Sequence, residues 1–129
     1  MDKKFVIVYD CVNHILSREK MDLENPDAIG DRLDIVGCGT NMYNTKRVGF
    51  KYDQKLCVYY NASIDWKDKE AYSPIGFMGE LFNNIIVVAA LNPNTDNFED
   101  MKMTTNEAYA EVKNFQSCEF GWEILGEKI

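Results

Sequence analysis

Histidine is almost missing from this chain: among 129 residues there is one, His14. A catalytic imidazole therefore has a single candidate, and a centre built on several histidines has none. Cys11 and His14 form a C-x-x-H pair, but a structural zinc site needs four ligands and no matching pair occurs elsewhere. The four cysteines, Cys11, Cys38, Cys57 and Cys118, contain no C-x-x-C and are far apart, which fits isolated reduced thiols and does not require a disulfide framework. Basic charge is also short, with 14 Lys and Arg against 21 Asp and Glu and a net charge of -7. A sequence-independent grip on nucleic-acid backbones is disfavoured by that balance. Long apolar runs are absent too. The longest, Ile85 to Leu91, falls far short of the roughly 20 residues of a membrane span. Met1-Asp2-Lys3-Lys4 leads into only the short run Phe5 to Tyr9, too little for a signal-peptide core, so a cytoplasmic protein is expected. Neither a phosphate-binding P-loop nor a Gly-x-Ser-x-Gly elbow is found, and Gly37-x-Gly39 follows a helical pattern without the rest of a dinucleotide fingerprint.

What is present is globular composition, 46% hydrophobic and 27% charged, in a length that suits one domain over residues 1–129. Phe5-Val6-Ile7-Val8-Tyr9 is β-branched and aromatic without alternation, which predicts an opening strand buried on both faces. A polar segment to Glu24 follows, and then Asn25, Pro26 and Asp27 supply a cap, a first-turn proline and a first-turn acid for a helix. Ile29, Leu33 and Val36 form its apolar face, and Gly37 and Gly39 suit its end. From Arg47 to Tyr60 the period becomes two, with Val48, Phe50 and Tyr52 on one side of a turn near Asp53-Gln54 and Leu56, Val58 and Tyr60 on the other: a hairpin. Asn61 to Gly79 reads as a functional or poorly ordered loop. Ile85 to Leu91 is the strongest strand signal and should be central, ended by Asn92-Pro93-Asn94. Thr104 and Glu107 form a capping box ahead of a helix with Ala108, Val112 and Phe115 on one face, and a last strand is expected from Phe120 to Leu125. The expected fold is α+β: a small mixed or antiparallel sheet around a central apolar strand, one helix after the first strand and one C-terminal helix.

Acidic pairs such as Asp31 and Asp34, or Glu99 and Asp100, have no spacing that singles out an acid and a base. Cys38 between two glycines is the best-placed thiol, and a small residue filling a tight turn explains it. The residues that do suggest chemistry are Tyr43, Lys46, Arg47, Tyr52, Tyr59, Asn61 and Trp66, around the hairpin and the loop after it. Aromatic faces stack on bases, an arginine forks onto phosphate oxygens, and an amide reads a base edge. The competing explanation is that alternate tyrosines are ordinary sheet residues.

Val36-Gly37-Cys38-Gly39 after a helix, Lys55-Leu56 and Asn61 in the hairpin, the strand from Ile85, and Asp96-Asn97-Phe98 before the Thr104 helix carry a resemblance. In these the chain resembles the small phage and mobile-element proteins grouped as the domain of unknown function 3846, over about residues 4–116. Cys38 stands where a second glycine is usual, Asn83-Asn84 where an Asp-x-x-Gly turn is usual, and Trp66 to Gly79 looks like an insertion. The resemblance implies no catalytic residue and no cofactor; it implies a counter-defence protein. Three functions are expected in order of weight. The first is a binding protein, working as a homo-oligomer, that sequesters a nucleotide-derived immune signal. An acidic inhibitor of a basic host defence nuclease is the second, and a hydrolase of such a signal the third.

Overall fold

A computed structural model describes residues 3–10, 13–33, 43–61, 75–82, 85–113 and 123–128. Val36, Gly37, Cys38 and Gly39, Cys11, Trp66, Asn83-Asn84, Phe115 and Cys118 lie outside the described residues, as do positions 62–74 of the expected loop. The elements in chain order are β1 (Lys4–Asp10), β2 (Ile15–Met21), α1 (Pro26–Arg32), β3 (Asn44–Lys51), β4 (Gln54–Tyr60), β5 (Ile75–Phe77), β6 (Glu80–Phe82), β7 (Ile85–Leu91), β8 (Phe98–Glu99), α2 (Thr105–Lys113) and β9 (Glu123–Lys128). The class is α+β, as expected, with far more strand than helix among the described residues.

The main sheet runs β3-β4-β7-β1-β2-β9, with β8 pairing β7. All its neighbours are antiparallel except β2 and β9, which are parallel. The apolar strand β7 sits between β4 and β1, where both its faces can be covered. Its side chains alternate accordingly: Ile86, Val88 and Ala90 enter one core, while Val87, Ala89 and Leu91 enter the other. β1 does the same, Ile7 and Tyr9 to the first and Val6 and Val8 to the second. The first core is closed by α2 through Ala108 and by the β5–β6 hairpin through Phe77 and Phe82. The second is closed by α1 through Ile29 and by Leu33, which caps the helix. Tyr9 crosses the first core, its ring 5.5 Å from Phe77 and its hydroxyl donating to the Ala108 carbonyl at 2.8 Å.

Both helix caps form as the residues imply. Asn25 Oδ1 accepts from the Asp27 N–H at 3.0 Å. Thr104 Oγ1 accepts from the Glu107 N–H at 3.2 Å while Glu107 Oε1 accepts from the Thr104 N–H at 3.1 Å, satisfying two helix-end donors reciprocally.

Three expectations are corrected. The polar stretch before Glu24 contains β2, so the first helix follows the second strand and not the first. Arg18 and Glu19 are accommodated there by tertiary partners: the Arg18 guanidinium lies 3.9 Å over the Phe5 ring and donates to the Met101 carbonyl at 2.7 Å, while Glu19 takes two bonds from Arg32 at 3.1 and 2.9 Å. The hairpin turn falls at Tyr52-Asp53, both at positive φ (54° and 60°), and Gln54 already belongs to β4, fully buried. Residues 75–79 are strand and tight turn, not loop. The last strand is described over Glu123–Lys128, and its expected start at Phe120 lies outside the described residues. In β3 the register slips between Arg47 and Gly49; Gly49 takes φ +135°, and a Cβ there would stand 3.3 Å from Met78 Cε. Only glycine meets both conditions without strain.

Candidate functional site

Strand geometry sorts the expected ligand residues by parity, because successive side chains leave a strand on opposite faces and cross-strand partners share one. Lys46 pairs with Val58 of the first core and reaches across that face to Glu80 on β6, Nζ to Oε2 2.6 Å. The carboxylate raises the Lys46 pKa above its ordinary value. Arg47, one residue on, pairs with Cys57 of the second core and points the other way. Tyr43 and Tyr59 join Arg47's side, their rings edge to face with centroids 5.8 Å apart at 77°. Tyr59 is only 8% exposed, so it backs Tyr43, which is half-buried and outermost of the two.

Tyr52 is not a sheet residue of either face. It occupies the turn, its hydroxyl donates to Glu107 on α2, and its carbonyl accepts from Lys102 Nζ at 3.4 Å. Tyr52 thus clasps the hairpin tip to the second helix. Asn61 follows β4 at the hairpin's open end, the end that Tyr43 enters, since Asn44 pairs with Tyr60. The structure therefore brings Tyr43, Arg47 and Tyr59 to one face, with Asn61 at the same end as Tyr43. Lys46 and Tyr52 are elsewhere.

Two residues outside the expected set complete this face. Lys55 of β4 and Asp96 in the loop after β7 meet with Nζ to Oδ1 at 2.9 Å, and the same oxygen stands 3.6 Å from Arg47 Nη1. The bond from Lys55, and less strongly the nearby Arg47, holds the Asp96 carboxyl below its usual range. Lys55 and Asp96 stand 41 residues apart in the chain. Only the fold shows that they touch. Beside Asp96 opens a cleft of about 400 Å³, lined by Lys4, Leu23, Glu24, Asp96, Asn97 and Phe98. A second cleft, about 500 Å³, lies along α1 and the end of β2, with Lys20, Asn25, Asp31 and Arg32 in its wall. Small-molecule pockets commonly hold 300–1,000 Å³. Among the described residues, no cluster of His, Cys, Asp and Glu has the makings of a metal site, and no helix is long and apolar enough to cross a membrane.

Beneath Arg47 lies Cys57, 3% exposed. Burial pushes its thiol above its ordinary pKa, with Arg47 and the Tyr59 hydrogen bond pulling the other way. Burial likewise raises the Tyr59 phenol. A thiol kept neutral and covered is a poor nucleophile. Cys57 is expected to alkylate with iodoacetamide at least about a hundredfold more slowly in the native protein than in urea, because reaction must await local opening. Mass spectrometry of the Cys57 peptide measures this; equal rates would mean that the hairpin face is open at its base.

The chain matches no family model, no curated protein and no solved structure.

Proposed function

We propose that this protein is a small non-catalytic binding protein of the phage counter-defence kind, which sequesters a nucleotide-derived signalling molecule on the Tyr43–Arg47 face of its hairpin. One observation carries the reading: the Arg47 side chain is 56% exposed, lies on the same face as a supported tyrosine, and is held by its carboxylate only at 3.6 Å. Arg47 and Lys55 supply two cations from adjacent strands for a phosphate, and Tyr43 supplies a ring for a base. Tyr43 and Arg47 are four residues apart on one strand face, which separates their Cα atoms by about 13 Å. Long side chains shorten that span. The arrangement suits a ligand with its ring at one end and its anionic group at the other.

The reading also explains how a chain of net charge -7 can bind an anion. The local field of a site is set by its lining, and here two cations face one carboxylate. A homo-oligomer would enclose such a shallow face with a second subunit, since closed symmetric assembly places like surfaces opposite each other.

The test is native mass spectrometry of protein purified gently from cells that express nucleotide-signalling defence systems. A stoichiometric nucleotide adduct, lost on denaturation and unchanged in mass from the free signal, is the expected result, and the same spectrum reports the subunit count. Bare protein from every lysate would overturn the reading and favour the acidic inhibitor, whose binding to a basic nuclease would weaken steeply with salt. A ligand of altered mass would make the protein a hydrolase.

A further inference from the structure

We infer that Asp96 is a built-in stand-in for the ligand's anionic group, occupying Arg47 and Lys55 until a phosphate displaces it. The inference rests on the binding reading above and assigns that site a competitor within its own chain.

The geometry separates Asp96 from the other carboxylates that serve the hairpin. Lys46 has Glu80 and Lys51 has Glu111, one cation to one acid. Asp96 alone among the described ion pairs takes two cations, and they come from adjacent strands on one face. It is also 56% exposed and forms part of the wall of the 400 Å³ cleft, so it stands where an incoming ligand would meet it.

The loop is built to hold it there. Asn92 Oδ1 accepts from the N–H groups of Asn94 at 2.8 Å and Thr95 at 3.2 Å, the Asp96 N–H donates to the Asn92 carbonyl at 2.8 Å, and the Asn92 N–H donates to the Asn97 carbonyl at 2.8 Å. Asp96 itself sits at φ 58°. Its backbone is thus fixed without help from the carboxylate, and the side chain is free to exchange partners. A phosphate monoester carries about -1.5 to -2 charges at neutral pH and three acceptor oxygens against the single charge of a carboxylate. Arg47 can donate to it in a fork geometry that the 3.6 Å contact with Asp96 does not use.

The consequence is that neutralising Asp96 should tighten binding of a phosphate-bearing ligand, where an ordinary structural ion pair would leave affinity unchanged or weaken it. The experiment titrates AMP and adenosine by calorimetry into the full-length wild-type chain, Asp96→Asn and Asp96→Gly. Both replacements tolerate positive φ, so the loop keeps its path, and circular dichroism checks the fold. AMP affinity is expected to rise three- to tenfold in both variants with adenosine unchanged. If AMP binds wild type in an Arg47-dependent manner and neither variant tightens it, the inference fails while the site stands. If folded wild type and both variants fail to bind AMP, the site reading fails and takes the inference with it.

Discussion

Replacing Gln54 with leucine is expected to lower unfolding stability by about 3 kcal/mol, with a fall in Tm on the order of 10 °C, although no charge is removed and volume is nearly kept. Gln54 is fully buried at the first position of β4. Its Nε2 donates to Glu99 Oε1 at 3.0 Å and to the Asp100 carbonyl at 2.8 Å, and its Oε1 accepts from the Lys102 N–H at 3.1 Å. One side chain therefore satisfies the strap that leads from β8 to the cap of α2. Leucine would take these partners from the Asp100 carbonyl and the Lys102 N–H, which meet the buried Gln54 side chain in part-buried bonds, and leaving such a group unpaired costs roughly 1–3 kcal/mol where water does not reach it. Glu99 can recover water, and it keeps a bond from Asn92 Nδ2 at 3.3 Å.

Gln54→Glu sharpens the test by adding a sign. The new carboxylate would face the Glu99 carboxylate and the Asp100 carbonyl, so its folded-state pKa is raised above the unfolded value of about 4.3. A group raised in this way contributes its stability at low pH and loses it as pH rises. The deficit relative to wild type should be largest at pH 7 and shrink towards pH 4.5. Urea melts at the two pH values measure it, and a deficit independent of pH would mean that the replaced side chain does not lie where Gln54 lies.

How much of this was legible in the sequence follows from what each signal depends on. β1 and β7 were readable because strands buried on both faces are apolar at every position. The helix caps were readable because capping is local chemistry: Asn25 with Asp27 and Thr104 with Glu107 interact within three residues. β2 was not readable, since Arg18 and Glu19 are held by partners outside the strand, the Met101 carbonyl and the Arg32 guanidinium. The hairpin turn was misplaced by one residue because Tyr52 and Asp53 adopt left-handed angles that tyrosine rarely takes. In the candidate site, nearness in sequence was mistaken for nearness in space: Lys46 and Arg47 are neighbours in the chain and lie on opposite faces of the sheet. The missing partners, Lys55 and Asp96, are 41 residues apart and had to be brought together by β4 pairing with β7.

That opposition yields the prediction that decides the site. Arg47→Ala is expected to weaken nucleotide binding by about 10- to 100-fold, the loss that goes with a charge-assisted hydrogen bond worth roughly 1.5–3 kcal/mol. Lys46→Ala should leave binding within about twofold, although it removes the same charge one residue away. Long-range attraction cannot separate the two, because both cations lie within about one Debye length of either face. Contact can, since only Arg47 is on the Tyr43 face. The Lys46 variant loses a surface ion pair with Glu80, 42% exposed on both sides, whose contribution to stability is of the small order such pairs make. Calorimetric titration of the same AMP stock into both variants reads the ratio directly. Equal losses would mean that the protein attracts anions through its field alone, with no site on this face. A larger loss for Lys46→Ala would move the site across the sheet, to the face where Tyr60 and Phe82 lie edge to face at 5.5 Å and Glu80 guards the lysine.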